Sequence, residues 1–223
     1  MQHEVLYRPS YSLLRVNLER GERLAAEAGA MVSMSSGIDM QTSMKGGLMG
    51  ALKRKILSGE SFFINTFESR EPGEVCFAPS LPGDIYDTEL RGQTLFAQSG
   101  AYIASSPEIQ IDTKWGGAKT FFSREGLFLL KLSGTGSVFL SSFGAIHQID
   151  LSPGQRYIVD TGHMVAFDET VQYSVRRLGG LKSTFLSGEG LVCELTGPGR
   201  IMIQSRSESS FLSWLLPKLP SKS

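Results

Sequence analysis

Residues 124–143, which read REGLFLLKLSGTGSVFLSSF, contain the pattern that decides the fold. Two short β-favouring runs, Leu127–Leu132 and Val138–Leu140, flank five small, turn-prone residues. This arrangement is typical of a β-hairpin, and Gly134 and Gly136 can take positive φ at little steric cost. The stretch therefore predicts two antiparallel strands joined by a glycine turn.

The same unit occurs twice more, as GESFFINTFESREPGEVCFAP at 59–79 and GEGLVCELTGPGRIMIQSRS at 188–207. Its glutamates, Glu60, Glu125 and Glu189, lie 65 and 64 residues apart. Because recurrence at a constant spacing is typical of a structural role, we interpret them as acceptors for backbone N–H groups at a turn. General acid catalysis by these glutamates is the less favoured alternative.

A second unit precedes each of these stretches. It reads LERGERLAAEAGAMVSM at 18–34, LRGQTLFAQSGAYIASS at 90–106 and LSPGQRYIVDTGHMVAF at 151–167. Each copy holds two glycines eight residues apart, with alternating apolar and polar residues between them in the first and third copies. A period of two predicts a half-buried strand with a turn at each end.

These recurrences divide the chain into three tandem β repeats, at about 10–82, 83–143 and 144–207. A unit of ~65 residues buries too little surface to be stable alone, so the repeats are expected to share one core. We predict an all-β fold with a single β domain over 1–207 and a C-terminal tail over 208–223. The tail is expected to be a short helix or irregular.

One helix is predicted inside the first repeat, over 45–60, where apolar residues fall at helical spacing. Its basic run, Lys53–Lys55, is interpreted as a solvent-exposed face, with contact to an anionic surface as the alternative. Trp115 is expected to pack on the core or on a neighbouring subunit. The tail carries an apolar cluster around Trp214, which is expected to dock on the domain, on a subunit or weakly on a membrane.

Composition excludes several classes of function. Lysine and arginine total 22, as do aspartate and glutamate, and a net charge of zero argues against a general nucleic-acid binder. The chain shows neither the ~20-residue apolar run of a membrane span nor a signal peptide, which predicts a cytoplasmic protein. Cys76 and Cys193 lie in apolar runs and are interpreted as buried, reduced thiols.

No catalytic, cofactor or metal site is predicted. The histidines are His3, His147 and His163, and none belongs to the closely spaced pair that a cupin-type metal site would need. Neither the G-x-S-x-G nucleophile motif nor a phosphate loop ending in G-K-S/T is present. We therefore expect a protein that is not an enzyme.

Several of these motifs also resemble one known family. The resemblance rests on GAMVSM (29–34), GGLMGALKRKILSGESFF (46–63), GAYIASS (100–106), GLFLLKLSGTGSVFLSSFGA (126–145), VDTGHMVAF (159–167) and 188–207. Together they resemble the mitochondrial biogenesis family named for altered inheritance of mitochondria, with this chain similar to its uncharacterised bacterial members. The resemblance implies a TRAP-like fold, related to the double-stranded β-helix, with three units in pseudo-threefold symmetry. It supplies no catalytic residues.

Three functions remain open at this point. The first is a non-enzymatic scaffold that forms a homo-oligomer through its β edges, Trp115 or the tail. The second is a small-molecule-binding protein with a pocket at one end of a β barrel. The third is a membrane-surface or stress-associated adaptor that uses Lys53–Lys55 and the tail.

Overall fold

A computed structural model describes residues 1–43, 63–112, 128–177 and 191–220. The described chain is all-β, as predicted, with one α-helix, α1 (Glu208–Leu215). The strands are β1 (Gln2–Leu6), β2 (Leu13–Leu18), β3 (Arg23–Glu27), β4 (Met31–Met34), β5 (Ile38–Ser43), β6 (Ile64–Ser69), β7 (Gly73–Phe77), β8 (Ile85–Gln98), β9 (Tyr102–Ser105), β10 (Gln110–Asp112), β11 (Leu129–Ser141), β12 (Ile146–Leu151), β13 (Arg156–Asp160), β14 (Met164–Asp168), β15 (Gln172–Arg177), β16 (Leu191–Thr196) and β17 (Gly199–Gln204). The helix predicted over 45–60, Trp115, Lys53–Lys55 and the three recurring glutamates lie outside the described residues.

The predicted glycine hairpin is wrong. Residues 129–141 form one continuous strand, β11, which runs antiparallel to β8 along its whole length with a register shift between Ser133 and Thr135. Gly134 and Gly136 have φ of 125° and 142°, an extended conformation of positive φ that glycine adopts readily. The chain therefore continues through these glycines without reversing. Besides β8, the first half of β11 pairs with β10 and the second half with β9.

Replacement of Gly136 by valine should lower the free energy of unfolding by ~1 kcal/mol or more. A residue with a side chain is strained at this φ, and its Cβ would lie 2.6 Å from the Cβ of Ser106. Urea unfolding of the variant and of wild type measures the difference. An unchanged free energy would show that position 136 of β11 does not need glycine.

Four antiparallel pairings occur in each of three successive segments, 13–77, 85–141 and 146–204. The first strand pairs with the last strand (β2 with β7, the start of β8 with the end of β11, β12 with β17), and the last strand also pairs with the third (β4, β9 and β14). The second strand pairs with the fifth (β3 with β6, the end of β8 with the start of β11, β13 with β16), and the fifth also pairs with the fourth (β5, β10 and β15). The second segment has only four strands, because β8 takes the place of the first and second strands and β11 takes the place of the fifth and sixth.

Two junctions join these segments edge to edge. β3 pairs with β9, and the end of β8 pairs with β14. They create the large sheet, with the order β12-β17-β14-β8-β11-β9-β3-β6-β5 and β10 attached to β11. The remaining strands form separate sheets of order β1-β2-β7-β4 and β13-β16-β15. The barrel expected from the sequence is therefore wrong for the described residues, because these sheets do not close on themselves.

The core consists of three apolar clusters, and strands of neighbouring segments share each of them. Phe67 and Phe77 of the first segment lie in one cluster with Phe139 of β11. Phe167 and Leu195 of the third segment lie in another with Leu129, at the start of β11. Cys76 and Cys193 are buried free thiols, as predicted. Burial raises the pKa of the Cys193 thiol to about 12, which keeps it protonated and unreactive.

The C-terminal tail begins with a capped helix. Ser207 is buried and its Oγ accepts a hydrogen bond from the backbone N–H of Ser210, 3.2 Å away, which satisfies one free donor of α1. The ring of Phe211 meets the ring of Phe143 edge to face, with centroids 5.7 Å apart. The tail therefore docks on the β domain. Across the described ranges, no helix has the length and apolarity that crossing a bilayer requires.

Candidate ligand-binding cavity

A cavity of about 680 Å³ lies where the three segments meet beneath α1. Each segment contributes the loop around its second glycine, namely Gly29, Gly100 or Gly162. Each also contributes a residue from the end of its last strand. Ser141 ends β11, Gln204 ends β17, and Ala78 directly follows β7. The wall is completed by Glu27, Ala28, Ala30, Pro79, Ser80, Leu81, Gln98, Ala101, Ile103, Ser142, Phe143, Glu208, Ser209 and Leu212.

Two polar side chains reach the cavity from the ends of their strands. Glu27 ends β3 and Gln98 ends β8, and each comes two residues before the second glycine of its segment. Asp160 has the same position at the end of β13 but is turned to the backbone. Its Oδ1 accepts a hydrogen bond from the N–H of Gly162, 2.9 Å away.

Gln98 has an unused hydrogen-bond donor. The residue is only 4% exposed, and its Nε2 has no hydrogen-bond partner among the described residues. Burying an amide donor without a partner costs roughly 1–3 kcal/mol. Native proteins keep few such groups. On the cavity wall, this donor is available to an acceptor atom inside the cavity.

Glu27 is a carboxylate without a counter-charge. No hydrogen bond or ion pair to its side chain occurs within the described part of the chain. Burial raises the pKa of this carboxyl from 4.5 to about 7, since removal from water disfavours the charged form. At neutral pH Glu27 is therefore poised between its acid and its carboxylate, as is common in functional sites.

The other polar groups of the wall mostly hold the wall together. Gln204 accepts a hydrogen bond from the N–H of Phe143 at 2.8 Å, and its Nε2 donates to the carbonyl oxygen of Gly162 at 2.9 Å. The Ser141 hydroxyl donates to the carbonyl oxygen of Ala101 at 3.4 Å. These bonds fix the loops of the second and third segments and the turn between those segments, so Gln204 and Ser141 are already paired within the wall.

Helix α1 covers one side of this space. Leu212 and Ser209 line it, and Glu208 in the first helical turn adds a second carboxylate. The wall holds two carboxylates and no lysine, arginine or histidine among the residues that the structure describes. Its charge therefore favours a ligand that carries a positive group.

The structure also places the histidine considered in the sequence. His163 Nδ1 lies 2.7 Å from the carbonyl oxygen of Gln204. A carbonyl oxygen only accepts, so Nδ1 carries the hydrogen and fixes the loop of the third segment. In the described ranges, no group of three or more His, Cys, Asp and Glu side chains is arranged to hold a metal ion.

Comparison with known proteins identifies the family. The sequence profile described as "Mitochondrial biogenesis AIM24" matches residues 3–206. The chain belongs to the AIM24 family. An uncharacterised protein of Streptococcus pyogenes serotype M6 is similar at 30% identity over 221 residues, which cover 96% of this chain and 89% of that protein.

An X-ray crystal structure of a Streptococcus pyogenes protein has the same fold as this AIM24 chain. The two superpose with a TM-score of 0.81 at 28% identity, covering 98% of this chain and 99% of the other. The family resemblance seen in the sequence is thus confirmed.

Sequence reasoning missed both Glu27 and Gln98 in this AIM24 protein. Glu27 was part of the alternating pattern of a half-buried strand, in which polar residues are expected to face solvent, and Gln98 lay in the second copy, where no alternation was seen. One signal was present: Glu27, Gln98 and Asp160 fall at the same position in all three copies of the second unit. Three polar residues at the ends of equivalent strands predict a shared polar site once those ends are known to converge.

Proposed function

We propose that this AIM24 protein is a non-enzymatic, cytoplasmic binding protein for a small polar molecule, which it holds in the cavity beneath α1. The unpartnered, buried Nε2 of Gln98 carries the proposal. The cavity volume of about 680 Å³ falls within the range of known small-molecule sites, roughly 300–1,000 Å³. No nucleic acid is required by this function.

The wall chemistry defines the ligand class. Gln98 Nε2 needs a hydrogen-bond acceptor such as a carbonyl or carboxylate oxygen. Glu27 and Glu208 favour an ammonium or another cationic donor, which their negative charge stabilises. A compact molecule that carries an amine together with an acceptor oxygen satisfies both requirements.

Thermal shift against a library of small amines and their uncharged analogues tests the proposal. A ligand that binds only the folded chain raises the melting midpoint by mass action. We expect the amines to raise it and the uncharged analogues to have little effect. If no compound in either class shifts the midpoint at saturating concentration, the binding function is refuted.

Replacement of Gln98 by methionine should weaken such binding about tenfold or more, because the variant keeps the side-chain length and loses the donor. Isothermal titration with the best amine of the screen measures the dissociation constant. Gln148→Met is the matched control, since Gln148 is an exposed glutamine of β12 outside the cavity. Equal affinities for the two variants would contradict a contact between Gln98 and the ligand.

We also propose that the three segments are arranged with the pseudo-threefold symmetry of a TRAP-like fold, as the family resemblance implied. The recurrence of the same four strand pairings in each segment supports this arrangement. The cavity supports it as well, because equivalent loops of all three segments line it.

A self-associating scaffold is the second candidate function. Helix α1 and the turn that follows it leave Trp214, Leu216 and Leu219 largely exposed, although Phe211 on the same helix docks on the domain. An exposed apolar patch of this kind is typical of a contact with a protein or a membrane.

Light scattering coupled to size exclusion tests this candidate with point variants of the full chain. If the tail carries the contact, Trp214→Ser lowers the oligomeric mass, whereas Tyr11→Ser, at an exposed aromatic position outside the tail, leaves it unchanged. A monomer for wild type at micromolar concentration would contradict the scaffold. Flotation with anionic liposomes would then show whether the patch contacts a membrane.

A further inference from the structure

The three segments present three pairs of junction strands, and only two of these pairs are joined. β3 of the first segment pairs with β9 of the second, and the end of β8 pairs with β14 of the third. The corresponding strands of the third pair are β13 and β4. Within the described residues β13 pairs only with β16, and β4 pairs only with β7.

β4 retains the local structure of a joined strand. In β4, β9 and β14 alike, one residue bulges from the register with the last strand of the segment. The bulged residues are Val32, Ile103 and Val165, each three positions after the second glycine. Ile103 and Val165 are 1% exposed, whereas Val32 is 57% exposed. An aliphatic residue thus occupies a position that the other two junctions bury.

β13 shows the same mismatch. Tyr157 corresponds to Leu24 and Leu95, since all three lie five positions before the second glycine. The leucines are 0% and 1% exposed, whereas Tyr157 is 36% exposed. The next residue, Ile158, is 49% exposed. Both edges of the open junction therefore carry apolar side chains without a neighbour, which is unfavourable for an edge that remains in solvent.

We propose that β13 of one copy of this chain pairs with β4 of a second copy, antiparallel, in the register that the two joined junctions define. The joined junctions place Ala26 opposite Ala104 and Ala97 opposite Ala166. Transfer by position to the open junction places Val159 opposite Ser33 and Ile158 opposite Met34. The partner is a second copy because these two edges do not pair with each other within one chain among the described residues. A reciprocal twofold dimer pairs all four edges.

Cysteine cross-linking tests the register directly. A chain with Met34→Cys is mixed with a tagged chain with Ile158→Cys and oxidised under mild conditions. Opposed Cα atoms of antiparallel strands lie about 4.5–5.5 Å apart, within the ~4.4–6.8 Å that a disulfide spans. We expect a disulfide-linked dimer that contains one chain of each kind. The native cysteines are buried, and each single variant oxidised alone controls for them.

Tyr157→Cys replaces Ile158→Cys as the register control, because neighbouring strand residues point to opposite faces. It is expected to give much less linked dimer with Met34→Cys. The proposal is overturned if the mixed dimer does not form, or if it forms equally with the control. It is also overturned if a chain with both cysteines closes only an internal disulfide, which would show that β4 and β13 meet within one copy.

Dimer mass supplies a second measurement that does not depend on oxidation. Val32→Lys adds a charge at the centre of the proposed contact and leaves the described core untouched, because Val32 is exposed in the single chain. We expect wild type to be dimeric by light scattering at micromolar concentration and Val32→Lys to be monomeric with an unchanged melting midpoint. A monomeric wild type, or a variant that stays dimeric, overturns the proposal.

Discussion

Replacement of Glu27 by glutamine should make the protein more stable above pH 7 and leave its stability below pH 4.5 nearly unchanged. Burial raises the pKa of this carboxyl in the folded chain to about 7, against 4.5 in water. A shift of this size corresponds to about 3 kcal/mol between the two protonation states. Because Glu27 borders a cavity that water can enter, we expect a gain of about 2–3 kcal/mol for the variant.

The direction follows from proton linkage. Below pH 4.5 Glu27 is protonated in both the folded and the unfolded chain, so the variant and wild type resemble each other. Between pH 4.5 and about 7 the unfolded chain releases the proton and the folded chain keeps it, so the stability of wild type falls as pH rises. Above this window the buried carboxylate of wild type is fully charged, whereas the glutamine variant carries no charge there and is therefore more stable.

Urea unfolding at about pH 4 and about pH 8 measures the effect through the linear dependence of the free energy on denaturant. Glu68→Gln is the matched control, because Glu68 is an exposed carboxylate on β6, the strand that pairs with β3. Parallel pH profiles for wild type and Glu27→Gln would contradict the assigned burial of the charge.

The unfavourable burial of the Glu27 charge also affects ligand binding. A cationic group placed beside the carboxylate favours its charged form and lowers its pKa again. Binding of an amine should therefore release a proton near neutral pH and become stronger as pH rises through 7. This dependence separates an amine ligand from an uncharged one, whose affinity Glu27 would not make pH-dependent in this way.

The sequence pattern predicted the strands better than their partners. The glycine-flanked units correctly indicated β3 and β13. The hairpin failed because two apolar runs around small residues look alike whether the chain reverses or continues. In β11 the outcome depends on β8, which is long enough to pair with both halves. That partner is distant in sequence, and local periodicity contains no information about it.

The cavity was even less accessible to sequence reasoning. Its polar groups belong to different segments, Glu27 to the first, Gln98 to the second and Glu208 to the tail, so no local motif joins them. The prediction for β3 was also too simple, because Leu24, Ala25 and Ala26 are all buried, which means that both faces of the strand are covered. Only the convergence of the three loops shows that the ends of these strands face one space.

Replacement of Gly83 by alanine should lower the free energy of unfolding by about 3 kcal/mol or more, the upper range for a steric insertion into packed structure. A Cβ at Gly83 would overlap the carbonyl oxygen of Ser142, which belongs to the backbone and cannot rotate away. The backbone around Gly83 joins the three segments. Its carbonyl accepts a hydrogen bond from the N–H of Ser12 at 3.1 Å, and it forms a parallel bridge with Gly144.

Gly21→Ala is the matched control. Gly21 has a φ of 83°, but a Cβ there would meet no atom within 4 Å, so its substitution costs only the strain of the left-handed backbone, about 1 kcal/mol. Urea unfolding of both variants compares the two costs. If Gly83→Ala lowers the free energy of unfolding no more than Gly21→Ala does, the loops that connect the segments can shift to accommodate a Cβ. A clearly larger loss shows that Gly83 holds a close backbone contact with Ser142, which is a residue of the cavity wall.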